Sequence, residues 1–178
     1  MPAPGGKAIE ITLRTPAGLG AIEAIAKSDI NIIVGAGTVL TKEALDDAVD
    51  AGSQFLISPG LNSDLVKYAQ EKNVVMIPGI MTPSEVQAAM ALGLDTVKFF
   101  PAELGGGAKM LKTFASVYPN MRFMPTGGIS PKNLAEYAAL DNLAAIGGSW
   151  MCPQDALNAG DMGKVEKLMR EALQLING

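Results

Sequence analysis

The sequence predicts an α/β fold of the (β/α) TIM-type barrel kind, and three observations carry that prediction. Short apolar or β-branched runs recur roughly every 20 to 25 residues, each followed by a Gly, Pro or Thr turn and then an amphipathic stretch. The runs are apolar on both faces, as the strands of a helix-covered parallel sheet are. Nearly every run ends in a small or kinked motif: GAGT, SPG, PGI, FPAE, PTGG and GGSW. An open sheet concentrates such residues at one switch point, whereas a barrel gathers the loops of all its strands on one rim.

Taken in order, the expected strands are residues 7–12, 32–34, 54–57, 74–77, 96–99, 122–124 and 143–146, making seven strand-helix units. Helices are expected over 16–27, 42–51, 63–72, 83–92, 108–117, 131–140 and 162–176. Thr41, Asn62, Thr82 and Ser130 stand where an N-cap side chain would accept from the first free backbone N–H groups. At 178 residues and 48% hydrophobic, the chain has the size and the apolar content of one domain, 1–178, with a buried core.

Composition narrows the chemistry. The chain has no histidine and one cysteine, Cys152, which excludes Ser-His-Asp catalysis, Cys-His proteolysis, histidine zinc sites and thiolate metal cages. No carboxylates stand at metal-ligand spacing, so no metal and no cofactor are expected. The formal net charge of −4 and the lack of a basic run argue against nucleic acid and against a charged membrane surface. No apolar run nears the roughly 20 residues that span a bilayer. The opening Met-Pro-Ala-Pro-Gly-Gly lacks a charged segment followed by an apolar one, and a cytoplasmic protein is expected.

Lysine, carboxylate, tyrosine and hydroxyl chemistry remain. Lys98 lies in Thr96-Val97-Lys98-Phe99-Phe100-Pro101, an apolar strand in which a solvated amine is out of place. Burial would favour the neutral amine that attacks a carbonyl, with the flanking aromatics forming an apolar rim. The alternative is a lysine snorkelling from a strand end. In Ile9-Glu10-Ile11-Thr12-Leu13-Arg14, alternation puts Glu10, Thr12 and Arg14 on one face if the three apolar residues face the helices. A plain ion pair is one reading; the other gives Glu10 proton transfer and Arg14 a carboxylate clamp.

The glycine motifs are of two kinds. Gly35-Ala36-Gly37-Thr38 fails as a dinucleotide fingerprint, because Leu40 stands where the third glycine belongs. Gly105-Gly106-Gly107-Ala108-Lys109 lacks the ending of a Walker loop and reads as a tight turn. Pro125-Thr126-Gly127-Gly128-Ile129-Ser130 and Gly147-Gly148-Ser149-Trp150 close the last two strands, where a barrel commonly holds phosphate on backbone N–H groups. Plain turn punctuation is the competing reading, and Cys152, Trp150 and the methionines read as packing.

Assembled in order, IEITLRT, VGAGTVL, FLISPG, IPGIMTPSE, VKFFPAE, FMPTGGIS and GGSWM resemble the 2-keto-3-deoxy-6-phosphogluconate / 4-hydroxy-2-oxoglutarate aldolase family over essentially the whole chain. The resemblance implies a class I, Schiff-base lyase that cleaves 2-dehydro-3-deoxy-6-phosphogluconate to pyruvate and glyceraldehyde 3-phosphate. It also implies Lys98 as the imine-forming lysine and Glu10 as general acid/base. Arg14 and Thr38 would hold the substrate carboxylate, Pro78, Phe100 and Thr126 would line the pocket, and Gly127, Gly128, Gly148 and Ser149 would hold phosphate. A homotrimer is implied as well.

In that family a strand and helix precede the IEITLRT-like segment, whereas six residues precede Lys7 here. The corresponding expectation is a seven-stranded, incomplete barrel with edges at 7–12 and 143–146, associating with other copies and turning over poorly. Two other readings stand beside the phosphogluconate one: an aldolase for 4-hydroxy-2-oxoglutarate or the galactonate isomer, and an inactive sugar-acid phosphate-binding barrel.

Overall fold

The computed structural model describes residues 7–177. The six residues that precede Lys7 lie outside them. The described residues form two compact units, 7–98 and 99–177.

The first unit opens with β1 (Ala8–Thr12), α1 (Ala17–Ala26), β2 (Ile33–Gly37), α2 (Lys42–Asp50), β3 (Phe55–Ile57), α3 (Ser63–Glu71) and β4 (Val75–Ile77). These strands pair in parallel in chain order, Glu10 standing opposite Gly35 and Leu56 opposite Met76. The expected run 74–77 continues beyond Pro78 as a short β5 (Gly79–Ile80), then α4 (Pro83–Ala91) leads to β6 (Thr96–Phe99). Proline has no N–H to donate to a ladder, so the run is interrupted there. The Pro78 carbonyl instead accepts from Lys98 N–H at 2.9 Å, tying β6 to this turn.

Alternation governs which side chains form the core. Val34, Ala36 and Leu56 pack with Ile22, Leu45, Val66 and Ala69 of the helices, and Ile9, Ile11 and Leu13 lie against the same cluster. The odd-numbered residues of β1 thus face the helices, which leaves Glu10 and Thr12 on the opposite face. Three expected caps are made: Thr41 accepts from Ala44 N–H, Asn62 from Asp64 and Leu65, and Thr82 forms a capping box with Glu85.

Phe99, the last residue of β6, begins the second unit, which continues with α5 (Gly107–Val117), β7 (Arg122–Pro125), α6 (Leu134–Ala138), α7 (Gln154–Ala159) and α8 (Met162–Asn177). Thr126 N–H donates to the Phe99 carbonyl at 3.0 Å and Ala102 N–H to the Thr126 carbonyl at 2.8 Å, which holds β7 beside the end of β6. Phe99, Phe123 and Tyr118 surround the Phe114 ring, with centroids 5.5 to 6.0 Å apart. Contacts of this kind add ~0.5–1.5 kcal/mol each beyond the area they bury.

The last third departs from the sequence expectation in three places. Residues 143–146 form no regular strand; Leu143 makes an isolated parallel bridge to Phe123, supported by Phe123 N–H to the Asn142 carbonyl and Ala144 N–H to the Phe123 carbonyl, both 2.9 Å. The helix expected over 131–140 shrinks to Leu134–Ala138, and Ser130 is not its N-cap. Asn133 precedes that helix, and its side chain is turned back to accept from Ser130 N–H at 2.8 Å, so Ser130 and Asn133 build the loop instead. α7 has no counterpart in the sequence expectation, because six residues between Pro153 and Gly160 show too little of a helical period. No helix among the described residues is long and apolar enough to cross a membrane.

Candidate active site

Lys98 is placed by the strand that carries it. Val97 and Phe99 are fully buried, and Phe99 packs edge-on to Phe114 at 6.0 Å. In an extended chain Lys98 must then point the other way. It is 6% exposed, and its Nζ lies 3.7 Å from Glu10 Oε1, whose side chain is 22% exposed. The aromatic rim expected around the amine is therefore not formed by Phe99, which faces the helix. In the second unit the Phe100 ring packs against Gly127, 3.3 Å from where a Cβ on that glycine would stand.

Burial holds the Lys98 amine below its ordinary value of 10.5. The Glu10 carboxylate opposes that shift and the Arg14 guanidinium adds to it. The net result is an amine that loses its proton more easily than a surface lysine does, which is the requirement for attack on a carbonyl.

Glu10 owes its position to a missing side chain. A Cβ on Gly37 would collide with the Glu10 carboxylate, and one on Gly35 would enter the Phe55 ring. Gly35 and Gly37 alternate on one face of β2, while Ala36 between them is buried in the core. The GAG run is thus strand, not turn, and its glycines make room for neighbouring side chains.

Thr38 follows directly with φ of 61°, a conformation a β-branched residue rarely adopts. Such strain costs of order 1–3 kcal/mol and is typical of residues that the surrounding structure holds for a function. The bonds from Leu13 N–H to the Gly37 carbonyl (2.8 Å) and from Val39 N–H to the Ile57 carbonyl (3.0 Å) clamp both sides of this residue. Arg14 is exposed just beyond β1 and donates from Nε to Thr12 Oγ1 at 3.3 Å. Pro78 is buried in the turn that holds Lys98. In the first unit the structure therefore brings Lys98, Glu10 and Pro78 together, with Arg14 close enough to influence the amine.

In the second unit the two glycine loops meet. Gly127 and Gly128 have φ of +99° and +83°, open to glycine without strain. A Cβ on Gly147 would strike Thr126 Oγ1, and Gly147 N–H donates to the Pro125 carbonyl at 2.9 Å, so the 126–128 and 147–149 segments are in contact. Thr126 Oγ1 is buried with no hydrogen-bond partner among the described residues. A buried hydroxyl in that state is costly unless a ligand satisfies it. Gly148 lies against the Trp150 indole, whose Nε1 would be 2.9 Å from a Cβ there, and Ser149 is exposed.

A parallel α/β sheet that buries a lysine beside a carboxylate, with burial lowering the pKa of the amine, has the arrangement that Schiff-base lyase chemistry requires. The comparisons with known proteins carry this to a family. The family model for KDPG and KHG aldolase matches residues 2–168. A KHG/KDPG aldolase of Escherichia coli K12 is 50% identical over 172 residues, covering 97% of this chain and 81% of the relative. A solved 4-hydroxy-2-oxoglutarate / 2-dehydro-3-deoxyphosphogluconate aldolase superposes with a TM-score of 0.89 at 44% identity, covering 96% of this chain and 82% of that one. The KDPG aldolase of Legionella pneumophila, solved with pyruvate captured as a covalent carbinolamine, does so with a TM-score of 0.88 at 39% identity, over 92% of this chain and 79% of that one. The chain belongs to the KDPG and KHG aldolase family, and its fold class is the TIM-type (β/α) barrel of those enzymes.

Proposed function

We propose that the chain is a class I aldolase that cleaves 2-dehydro-3-deoxy-6-phosphogluconate (KDPG) to pyruvate and glyceraldehyde 3-phosphate. The buried Lys98 amine, 3.7 Å from the Glu10 carboxylate, carries this reading. The Lys98 amine adds to the C2 carbonyl, and loss of water leaves a protonated imine. Glu10, through a water, takes the proton of the C4 hydroxyl. The C3–C4 bonding pair then moves into the imine, releasing glyceraldehyde 3-phosphate and leaving an enamine on Lys98. Protonation at C3 and hydrolysis of the imine free pyruvate and restore the amine.

In this proposal Arg14 and Thr38 bind the substrate carboxylate, and Pro78, Phe100 and Thr126 line the pocket. Gly127, Gly128, Gly148 and Ser149 bind the phosphate; the Thr126 hydroxyl, unpartnered among the described residues, and the close approach of the two glycine loops support an anion site there. In this proposal the enzyme works as a homotrimer, as the family resemblance implies, and in the cytoplasm, as expected from its sequence.

The test is the release of equal amounts of pyruvate and glyceraldehyde 3-phosphate from KDPG, assayed with and without a chelator. Among the described residues no three His, Cys, Asp or Glu side chains gather as a metal site, and turnover is expected to be the same in both assays. Loss in chelator, restored by a divalent ion, would replace the imine mechanism with a metal-dependent one.

Phosphorylated and unphosphorylated substrates are told apart at Ser149. Ser149→Ala is expected to raise KM for KDPG by about tenfold or more, since a hydroxyl bonded to a charged oxygen contributes ~1.5–3 kcal/mol. The same change should shift KM for 4-hydroxy-2-oxoglutarate much less, because that substrate has no phosphate. Equal shifts for both would remove Ser149 from the phosphate site.

A further inference from the structure

The turn after β6 contains a half-buried bond, from a buried tyrosine to an exposed glutamate, that the cleavage steps leave unused. Tyr137, on α6 and 1% exposed, donates its hydroxyl to Glu103 Oε1. Glu103 lies in the turn before α5, and its backbone N–H donates to the Gly127 carbonyl at 3.1 Å. Its side chain also covers the neighbouring glycine: a Cβ on Gly128 would stand 2.5 Å from Glu103 Cγ and 2.7 Å from its Cβ. From the other side, Asn133 Nδ2 donates to the Gly128 carbonyl at 3.2 Å. The Gly127-Gly128 pair is therefore held between a carboxylate-bearing turn and an asparagine.

This carboxylate has the wrong sign for its neighbourhood. Left free beside a loop that receives a phosphate, it would repel the ligand and compete for the same N–H groups. The tyrosine hydroxyl restrains it. Burial, and then the Glu103 carboxylate, push the Tyr137 pKa well above its ordinary value, so the hydroxyl stays protonated as the donor. At the Gly107 end of the turn, a Cβ would lie 3.2 Å from Glu103 Oε1 and 3.4 Å from the Tyr137 hydroxyl. A side chain there would press on the glutamate and would be strained by the positive φ of 62°.

We propose that Tyr137 and Glu103 are positioning residues for the phosphate end of the substrate, the tyrosine hydroxyl anchoring the glutamate side chain against Gly128 and so setting the two left-handed glycines. The proposal rests on the phosphate reading of this loop. It separates from a merely structural role, because a structural defect would lower turnover of every substrate alike.

The experiment measures kcat and KM for KDPG and for 4-hydroxy-2-oxoglutarate in Tyr137→Phe, Glu103→Ala and Glu103→Gln, with Ser149→Ala alongside. Tyr137→Phe and Glu103→Ala are expected to raise KM for KDPG about tenfold with kcat little changed, and to shift the unphosphorylated substrate by no more than about twofold. Glu103→Gln keeps an oxygen for the tyrosine to donate to and should recover most of the loss. Equal effects on both substrates, or none on either, while Ser149→Ala still discriminates, would overturn the positioning role alone. If Ser149→Ala also fails to discriminate, the phosphate reading falls and takes this inference with it. Should Tyr137→Phe not fold, the Glu103→Ala and Glu103→Gln pair decides; a glutamine no better than alanine would overturn the proposal.

Discussion

Borohydride added with pyruvate should label Lys98 and no other lysine, and Lys98→Ala should abolish both the label and the cleavage of KDPG. Only an imine is trapped by that reduction. Lys98 is also the one lysine among the described residues that is buried, with its amine held below the usual range by burial. Removing the covalent nucleophile should cost roughly 10⁴-fold or more in kcat, the scale seen when an enzyme loses the group that forms its intermediate. The pH dependence follows from the direction of the shift. As pH rises the amine loses its proton, so the trapping rate should climb and level off below 10.5, the value of an ordinary lysine. Levelling only at or above that value would mean burial does not activate the amine. Labelling of a different lysine, with Lys98 unmodified, would defeat the mechanism.

Glu10→Gln should separate the two halves of the reaction. The amide that replaces the carboxylate could not take the C4 hydroxyl proton, and kcat for cleavage should fall by roughly 10²–10⁴-fold, the usual contribution of a general base. Imine trapping with pyruvate should still reach completion, because the Glu10 carboxylate works against the lowering of the Lys98 pKa and its removal favours the neutral amine. Gly37→Ala should reproduce much of the loss without altering any charge, since its methyl would occupy the space of the Glu10 carboxylate. Cleavage by Glu10→Gln at the unaltered rate would assign the proton transfer to another group.

Several features are legible in the sequence because they depend on local rules. The period-2 pattern of IEITLRT puts Ile9, Ile11 and Leu13 on the helix side, and they pack there. Caps at Thr41, Asn62 and Thr82 follow from hydroxyl and amide side chains standing just before helical runs. Ser130 fails by the same rule, because Asn133 competes for the loop and bonds Ser130 N–H. The residues 143–146 look like a strand by composition, yet a ladder needs a partner in register along its whole length, and only the Phe123 bridge is made.

What the sequence determined by itself was the strand-helix alternation and the histidine-free chemistry, with Lys98 and Glu10 as candidates to carry it. Each depends on residue type and short spacing, which the chain displays directly. Tertiary structure alone decided the rest. The 3.7 Å separation of Lys98 and Glu10 joins side chains from strands distant in sequence. The side on which Phe99 lies was set by the Phe114 ring, not by its place next to the lysine. The role of Gly37 was invisible because a glycine is informative only through what fills the space its side chain lacks, here the Glu10 carboxylate. Tyr137 and Glu103, 34 residues apart, likewise became partners only when α6 was packed against the turn before α5. A side chain's chemistry is written in its own residue, whereas its neighbours, and hence its pKa and reach, are set by register and packing.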